Sequence, residues 1–363
     1  METRVLEMLD NEPGLAGGDF ISLNRVAEAR RSAVRNGSVR VTEVQTTSDF
    51  SYLADTMDRA LMVSYMDQTI PVSYDRIGYK RNTAELARAG GKGRGRDYQI
   101  NAGRLIPQVH EKGEYLPIDA TDTYYEMLTH KYGCQWDLSF EAYLSDNRDL
   151  GLLRSYPQSW GLSARYTQEY VFTATWAAHA TFFSDARGNL NNDAGGALTG
   201  TTLAAGIAAI RNQTDPSGNV APYAGPLFLV VPPALTLTAQ TLVASSAVIT
   251  GANVTIPADN PVQGAATVIT NPFLPVLDDT YGDTGWYLFA DPRIRPAVRY
   301  GFLNGYEQPE IFVQAAQAQR LLGGGSDPFD GTFLTDDIAF KLRFFFGADL
   351  LDYRGAYWSQ GRA

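Results

Sequence analysis

The sequence predicts an α+β fold, and three observations carry that expectation. Ile338, Phe340, Leu342, Phe344 and Phe346 alternate around Lys341 and Arg343, the period of two that marks a half-buried strand. From about Ser155 to His179, residues Trp160, Ala164, Tyr170, Val171, Ala174 and Ala178 mark one face of the longest helix. Pro157 falls in its first turn, where a missing N–H costs little. Strand and helix patterns follow one another without the regular alternation that a doubly wound sheet requires, and no internal repeat is present.

Residues 1–47 read as a solvated helix or flexible arm: Gly14, Gly17 and Gly18 break the start, and Arg25, Arg30, Arg31, Arg35 and Arg40 are opposed by Glu28. A helix is expected from Ser48, with Phe50, Leu53, Met57, Leu61 and Tyr65 at spacings of three and four and Ser48 or Asp49 as cap. Ile70, Val72 and Tyr74 alternate as a strand does. Residues 76–104 hold eight basic residues against Glu85 and Asp97, with Gly90, Gly91, Gly93 and Gly95 in the middle. The run is no phosphate loop, because Gly91-Lys92 is followed by Gly93 instead of Ser or Thr.

Residues 98–142 are expected to form a long hairpin. Cys134, Trp136, Leu138 and Phe140 alternate with Gln135, Asp137, Ser139 and Glu141, Thr123 to Lys131 is the expected partner strand, and Tyr132-Gly133 the turn. Beyond the long helix, a second helix is expected over Thr199–Asn212, a buried strand over Leu227–Val231 after Gly225-Pro226, and a third helix over Ala234–Ser245 started by Pro232-Pro233. Further strands are expected at Thr267–Thr270, Trp286–Ala290, Val298–Phe302 and Ile311–Gln314, and a loop at Gly323–Gly325.

Composition narrows the function class. The chain has 363 residues, long enough for two or three linked subdomains. Its charged content of 19% is below the roughly 25% of soluble domains, and a surface short of charge is most cheaply covered by further copies of itself. A net charge of −10 argues against a dedicated nucleic-acid binder. One cysteine, Cys134, excludes an intrachain disulfide framework. Met1 to Asn11 carry charges and no apolar h-region, so a soluble intracellular product is expected, with no membrane partner.

Catalytic chemistry is hard to find. His110, His130 and His179 have no metal-ligand spacing to another His, Cys or carboxylate. There is no GxSxG elbow, and Cys134 has no activating neighbour in sequence. Asp278, Asp279 and Asp283 lack the glutamate that would close a calcium loop and read as a solvated turn. Asp327, Asp330, Asp336 and Asp337 read as turn chemistry. Asn212-Gln213-Thr214 matches a glycosylation acceptor, to no effect without a secretion signal. No enzyme and no cofactor are expected.

Several segments, in order, resemble tailed-phage major capsid proteins of the Hong Kong 97 type, in particular the branch with the Mu-like head subunits. They are Glu111-Lys112-Gly113-Glu114-Tyr115; Ser145-Asp146-Asn147 through Leu150-Gly151; Ser184-Asp185 with Gly188-Asn189-Leu190; Ala197-Leu198-Thr199; Gly225 to Pro233; Trp286 to Pro292; Tyr300-Gly301-Phe302 through Glu310; Thr335 to Gly347; and Asp352 to Gly355. Order and spacing carry the resemblance more than any single motif. Ala186-Arg187 stands where the family has a histidine before Gly-Asn.

The resemblance implies a division into an N-terminal arm and basic segment (1–97), an extended loop (98–142), a peripheral domain with a spine helix (143–195 and 326–363) and an axial domain (196–325). It implies copies joined as hexamers and pentamers into an icosahedral shell. Portal, scaffolding and decoration proteins would be partners, and packaged double-stranded DNA would touch the inner surface, the arm included. The alternative is an encapsulin-like nanocompartment shell. Three subunit contacts are expected: the basic run through Lys92, Arg94 and Arg96; the hairpin rings and side chains Trp136, Leu138 and Phe140; and residues 216–277, where Asp259 is the only charged residue. Within that last stretch Ala247 to Val254 would lie near a symmetry axis, where a charge would face its own copies.

Overall fold

A computed structural model describes residues 51–67, 72–84, 86, 94–101, 108–109, 121–139, 141, 152–193, 195–214, 222–248, 258–314 and 334–362. The expected arm at 1–47, the Gly90–Gly93 and Gly323–Gly325 stretches, Lys92, Phe140 and Val254 lie outside those residues.

In chain order the helices and strands are α1 (Ser51–Tyr65), α2 (Tyr74–Ile77), β1 (Gly78–Lys80), β2 (Arg94–Asn101), β3 (Thr121–Leu128), β4 (His130–Ser139), α3 (Leu152–Trp176), β5 (Leu190–Asn191) and α4 (Gly200–Arg211). They continue with β6 (Leu227–Val231), α5 (Thr236–Ala244), β7 (Ala247–Val248), β8 (Ala258–Asp259), β9 (Thr267–Thr270), α6 (Leu274–Leu277), β10 (Trp286–Ala290), β11 (Val298–Gly301), β12 (Glu310–Val313), β13 (Asp337–Leu350) and β14 (Ala356–Ser359). The chain forms two compact units, one drawn from Met1–Asp67, Gly133–Ala164 and Pro309–Phe344, the other from Gln68–Tyr132, Arg165–Gln308 and Phe345–Ala363.

In the first unit the expected apolar face of α1 is real: Met57 and Leu61 are buried. Ser64 returns its hydroxyl to the helix, donating to the Ala60 and Leu61 carbonyls at 2.9 and 3.0 Å. The first half of α3 lies close enough that a Cβ on Gly161 would meet the Tyr65 backbone nitrogen at 2.9 Å. β12 pairs antiparallel with the first half of β13, Glu310 opposite Arg343 and Val313 opposite Phe340. The alternation read from the sequence is what buries Ile338, Phe340, Leu342 and Phe344.

Besides the two-stranded β2–β3 and β7–β8 ribbons, the second unit holds two larger arrangements of strands. β1 runs parallel to β11, and β11 pairs antiparallel with the second half of β13. The other sheet has the order β5-β14-β10-β6-β9, with all five residues of the central strand β10 buried. Leu203, Ile207 and Ile210 of α4 cover this sheet together with Leu227, Leu229, Trp286, Leu288 and Tyr357. A Cβ on Gly206 would meet the Tyr357 ring at 2.9 Å, so glycine lets the helix settle onto the strands. Thr199, expected as the first helical residue, instead caps α4, accepting from Thr202 N at 3.2 Å while Thr202 Oγ1 accepts from Thr199 N at 2.9 Å.

Two expectations need correction. The hairpin is made by β2 and β3, Arg94 opposite Leu128 through Asn101 opposite Thr121; β4 pairs instead with β13. Tyr132-Gly133 is therefore mid-strand and forms no turn. Glycine is needed there because a Cβ would run into the Leu342 carbonyl oxygen. Tyr74, read as part of a strand, begins the single helical turn α2.

Candidate assembly surfaces

Residues at alternate positions of paired strands share a face. On β3 one face is open, with Tyr124 61% exposed and Leu128 37% exposed, while Met127 on the other is buried. Arg94, Arg96 and Tyr98 occupy the register positions opposite Leu128, Glu126 and Tyr124 of the open face. The root of this ribbon is fixed by hydroxyls: Thr83 Oγ1 and Thr129 Oγ1, both buried, lie 2.7 Å apart.

Trp136 and Leu138 lie on β4 and find partners within their own unit. The Trp136 ring stacks on Tyr156 with centroids 3.9 Å apart and an interplanar angle of 8°, and on Phe340 at 5.6 Å. Leu138 is buried. Ala247 is paired with Asp259 in the short β7–β8 ribbon. Asn260 closes that ribbon, donating to the Leu242 and Ser245 carbonyls at 2.6 and 2.8 Å and accepting from Val262 N at 3.1 Å. The neutral stretch 216–277 serves the core in part, since Leu227, Leu229, Val230, Val231, Val262, Ile269 and Leu274 are buried. It also leaves Leu237 76% and Val276 65% exposed.

One buried carboxylate that no sequence pattern announced accepts several hydrogen bonds. Glu169, fully buried on α3, accepts at Oε2 from Ser73 N (2.9 Å) and Tyr74 N (3.4 Å). At Oε1 it accepts from the Ser73 hydroxyl, from Asn271 Nδ2 (3.0 Å) and from Thr173 Oγ1 (3.5 Å). The carboxylate thus takes up N–H groups that the first turn of a helix leaves unbonded, which is why Tyr74 starts a turn. Asn271 also follows β9 directly, its own N–H bonded to the Val231 carbonyl of β6 at 2.9 Å. One carboxyl ties together α3, the approach to β1 and the edge of the second sheet. Burial raises its pKa above the usual carboxylate range, against the hydrogen bonds.

Asn189, in the Gly-Asn-Leu stretch, is likewise buried. It accepts from Ser184 N at 2.9 Å and donates to the Phe182 and Tyr353 carbonyls at 3.0 and 3.3 Å.

His179 and Asp278 are occupied structurally. His179 Nδ1 accepts from Phe182 N at 3.1 Å, and Asp278 Oδ1 closes a turn by accepting from Thr280 N and Tyr281 N at 3.0 Å. Cys134 is an exposed thiol. A cleft of about 340 Å³ is lined by Glu126, His130, Tyr132 and Asp349 with Leu128 and Val171. Asp349 there is bonded to buried Arg299 at 3.1 Å, and burial raises its pKa. Among the described residues no group of three or more His, Cys, Asp or Glu is placed to hold a metal ion, and no helix is long and apolar enough to cross a membrane.

The capsid of Ralstonia phage GP4 superposes on this chain with a TM-score of 0.50 at 9% identity, covering 77% of this chain and 84% of that one. A chain of Gordonia phage Cozz gives 0.46 at 13% identity over 96% of both, and the virus-like particle from Pyrococcus furiosus 0.43 at 10% identity over 84% and 98%. No curated protein matches the sequence. The fold is that of the Hong Kong 97-type capsid proteins. A family model described as phage capsid protein matches residues 125–359, more than half of the chain, and the chain belongs to that family.

Proposed function

We propose that this phage capsid protein is the major head subunit, and that copies of it close as hexamers and pentamers into an icosahedral shell around double-stranded DNA, assembled in the bacterial cytoplasm. The observation that carries the reading is the family match across residues 125–359. The fold supports it. Portal, scaffolding and decoration proteins are the expected partners, and 1–97, 98–142, 143–195 with 326–363, and 196–325 are the expected arm, extended loop, peripheral and axial parts. Electron microscopy of the overexpressed chain tests it: closed particles are expected, and a preparation of monomers or open tubes only would overturn it.

The β2–β3 ribbon is proposed as the extended loop, with its open face as a contact between copies. Its basic residues belong to a run of eight against Glu85 and Asp97 in a chain of net charge −10, and such complementarity sets register and assembly rate more than affinity. Charge reversal at Lys92, Arg94 and Arg96 together is expected to slow particle formation, as followed by light scattering, while the subunit stays folded. Wild-type assembly of that variant would count against the ribbon. Ala247 to Val254 is proposed to approach a symmetry axis, and Trp136, Leu138 and Phe140 to lie at a contact with a neighbouring copy.

A further inference from the structure

The C-terminal end of α4 gathers arginines from separate segments of the second unit. Arg211 is the last residue of the helix. Arg295 reaches back to it, donating from Nη1 to the Ile210 carbonyl at 3.2 Å, with its guanidinium 5.2 Å over the Tyr223 ring. Gln213, two residues past the helix, donates to the Arg187 carbonyl at 3.0 Å and so brings that loop alongside. The Arg187 guanidinium lies 4.7 Å over Tyr353, whose successor is Arg354. Arg293 stands two residues before Arg295.

Carboxylates match this charge only in part, with exposed Asp185 two residues before Arg187. Asp352 is buried and taken up by Arg354, whose Nε donates to both of its oxygens at 2.8 and 2.9 Å. Asp291 Oδ1 accepts the Arg293 backbone N–H at 2.9 Å. Among the described residues Arg187, Arg211 and Arg293 form no ion pair, and all three are exposed. Structural duty accounts for Arg295, which satisfies a helix-terminal carbonyl, for Arg354, which holds Asp352, and in part for Arg187, whose Nη1 donates to the Thr181 carbonyl at 2.6 Å. It does not account for three exposed cations gathered at one place in a chain of net charge −10.

We propose that this arginine surface binds the phosphodiester backbone of double-stranded DNA without reading its sequence. Guanidinium forks match phosphate oxygens two at a time. The Tyr353 ring under Arg187 holds that fork in a fixed plane, which lowers the cost of ordering it. The proposal rests on the capsid reading, because a shell sets a phosphate-dense polymer against one of its faces. It places the Arg187, Arg211 and Arg293 surface on the inside.

The test uses the unassembled full-length chain and a random-sequence duplex of about 30 base pairs, with affinity measured by anisotropy across a salt series. Each neutralised phosphate adds about 0.9 to the slope of log affinity against log salt. Arg187→Ala/Arg211→Ala/Arg293→Ala is expected to lower that slope by about 2–3 and to weaken low-salt binding at least about tenfold. Arg187 also donates to the Thr181 carbonyl at 2.6 Å, so Arg211→Ala/Arg293→Ala, which spares that bond, is measured too and should lower the slope by about 2. An unchanged slope in both variants overturns the proposal. So does a variant that binds duplex as the wild type does and fails only in forming particles, since the surface would then meet another copy. If the wild type binds duplex with the expected slope yet forms no particles, the shell reading fails and this one stands.

Discussion

Replacing Glu169 by alanine is expected to cost about 3–5 kcal/mol, because several buried donors lose their acceptor and each costs roughly 1–3 kcal/mol when left unbonded. Ser73 N and Tyr74 N lose the Glu169 carboxylate, and Asn271 Nδ2 is left with Thr173 Oγ1 at 2.8 Å and the more distant Ser73 Oγ at 3.4 Å. Asn271 cannot turn its oxygen inward, since Oδ1 accepts from Phe273 N at 2.9 Å. Urea unfolding of the variant measures the loss, and a midpoint equal to that of the wild type would show that the cluster does not hold these segments. The group also carries a pH signature. Its pKa in the folded chain is raised, chiefly by burial, so the folded state binds the proton more tightly than the unfolded one. Stability from this group is fully present below the ordinary carboxylate pKa of about 4.3 and is lost as pH rises through the folded value. Asp349 is raised in the same direction, so the pH slope of the wild type minus that of Glu169→Gln isolates Glu169. Glutamine keeps one accepting oxygen and cannot titrate. Its variant should lie between the wild type and alanine in stability, with a flatter slope in the acid range.

How far the fold was legible follows from where its determinants lie along the chain. Leu227–Val231, Thr267–Thr270 and Trp286–Ala290 were placed by local signals, and the structure keeps those bounds. The long helix was also placed, with ends a few residues off, at Leu152 and Trp176. β2 was not recognised as a strand. Its sequence alternates glycine with arginine before Tyr98 and Ile100, so no apolar period announces it, and it is specified by its pairing with β3. That omission made Gly133 look like the turn, although its lack of a side chain serves an approach to Leu342, far along the chain. Glu169 was visible as a lone carboxylate in an apolar helix, and that was the available signal. Its chief partner Ser73 is 96 residues away, which no spacing rule reaches. The arginine surface is the extreme case: Arg187, Arg211 and Arg293 have no local pattern, and only the folded α4 terminus assembles them.

The second large effect is expected at the paired glycines Gly301 and Gly347, which stand opposite each other in the β11–β13 register. A Cβ on Gly301 would overlap the Arg81 carbonyl oxygen and meet Met127 Cε at 2.7 Å. A Cβ on Gly347 would overlap the Leu128 carbonyl oxygen and meet Thr129 Cα at 2.9 Å. The obstacles are mostly backbone, so no side chain can turn aside to make room. Both glycines press on the same place, the root of the β2–β3 ribbon at Met127–Thr129, where Thr129 is bonded to Thr83 and Arg81 N donates to the Tyr300 carbonyl at 2.8 Å. Alanine at either position must therefore push the ribbon root off the sheet. The expected cost is about 3 kcal/mol or more, the upper end of what overpacking exacts. The two substitutions together should cost less than the sum of the singles, because the first displacement already makes room for the second methyl. Hydrogen exchange separates this from general destabilisation: protection should fall first at Arg81 and Thr83, whose N–H groups bond to β11 and the residue after it, while β10, central to the other sheet, keeps its protection. Uniform loss across both sheets, or a double variant whose cost equals the sum of the singles, would show that the two glycines do not share one slot beneath the ribbon.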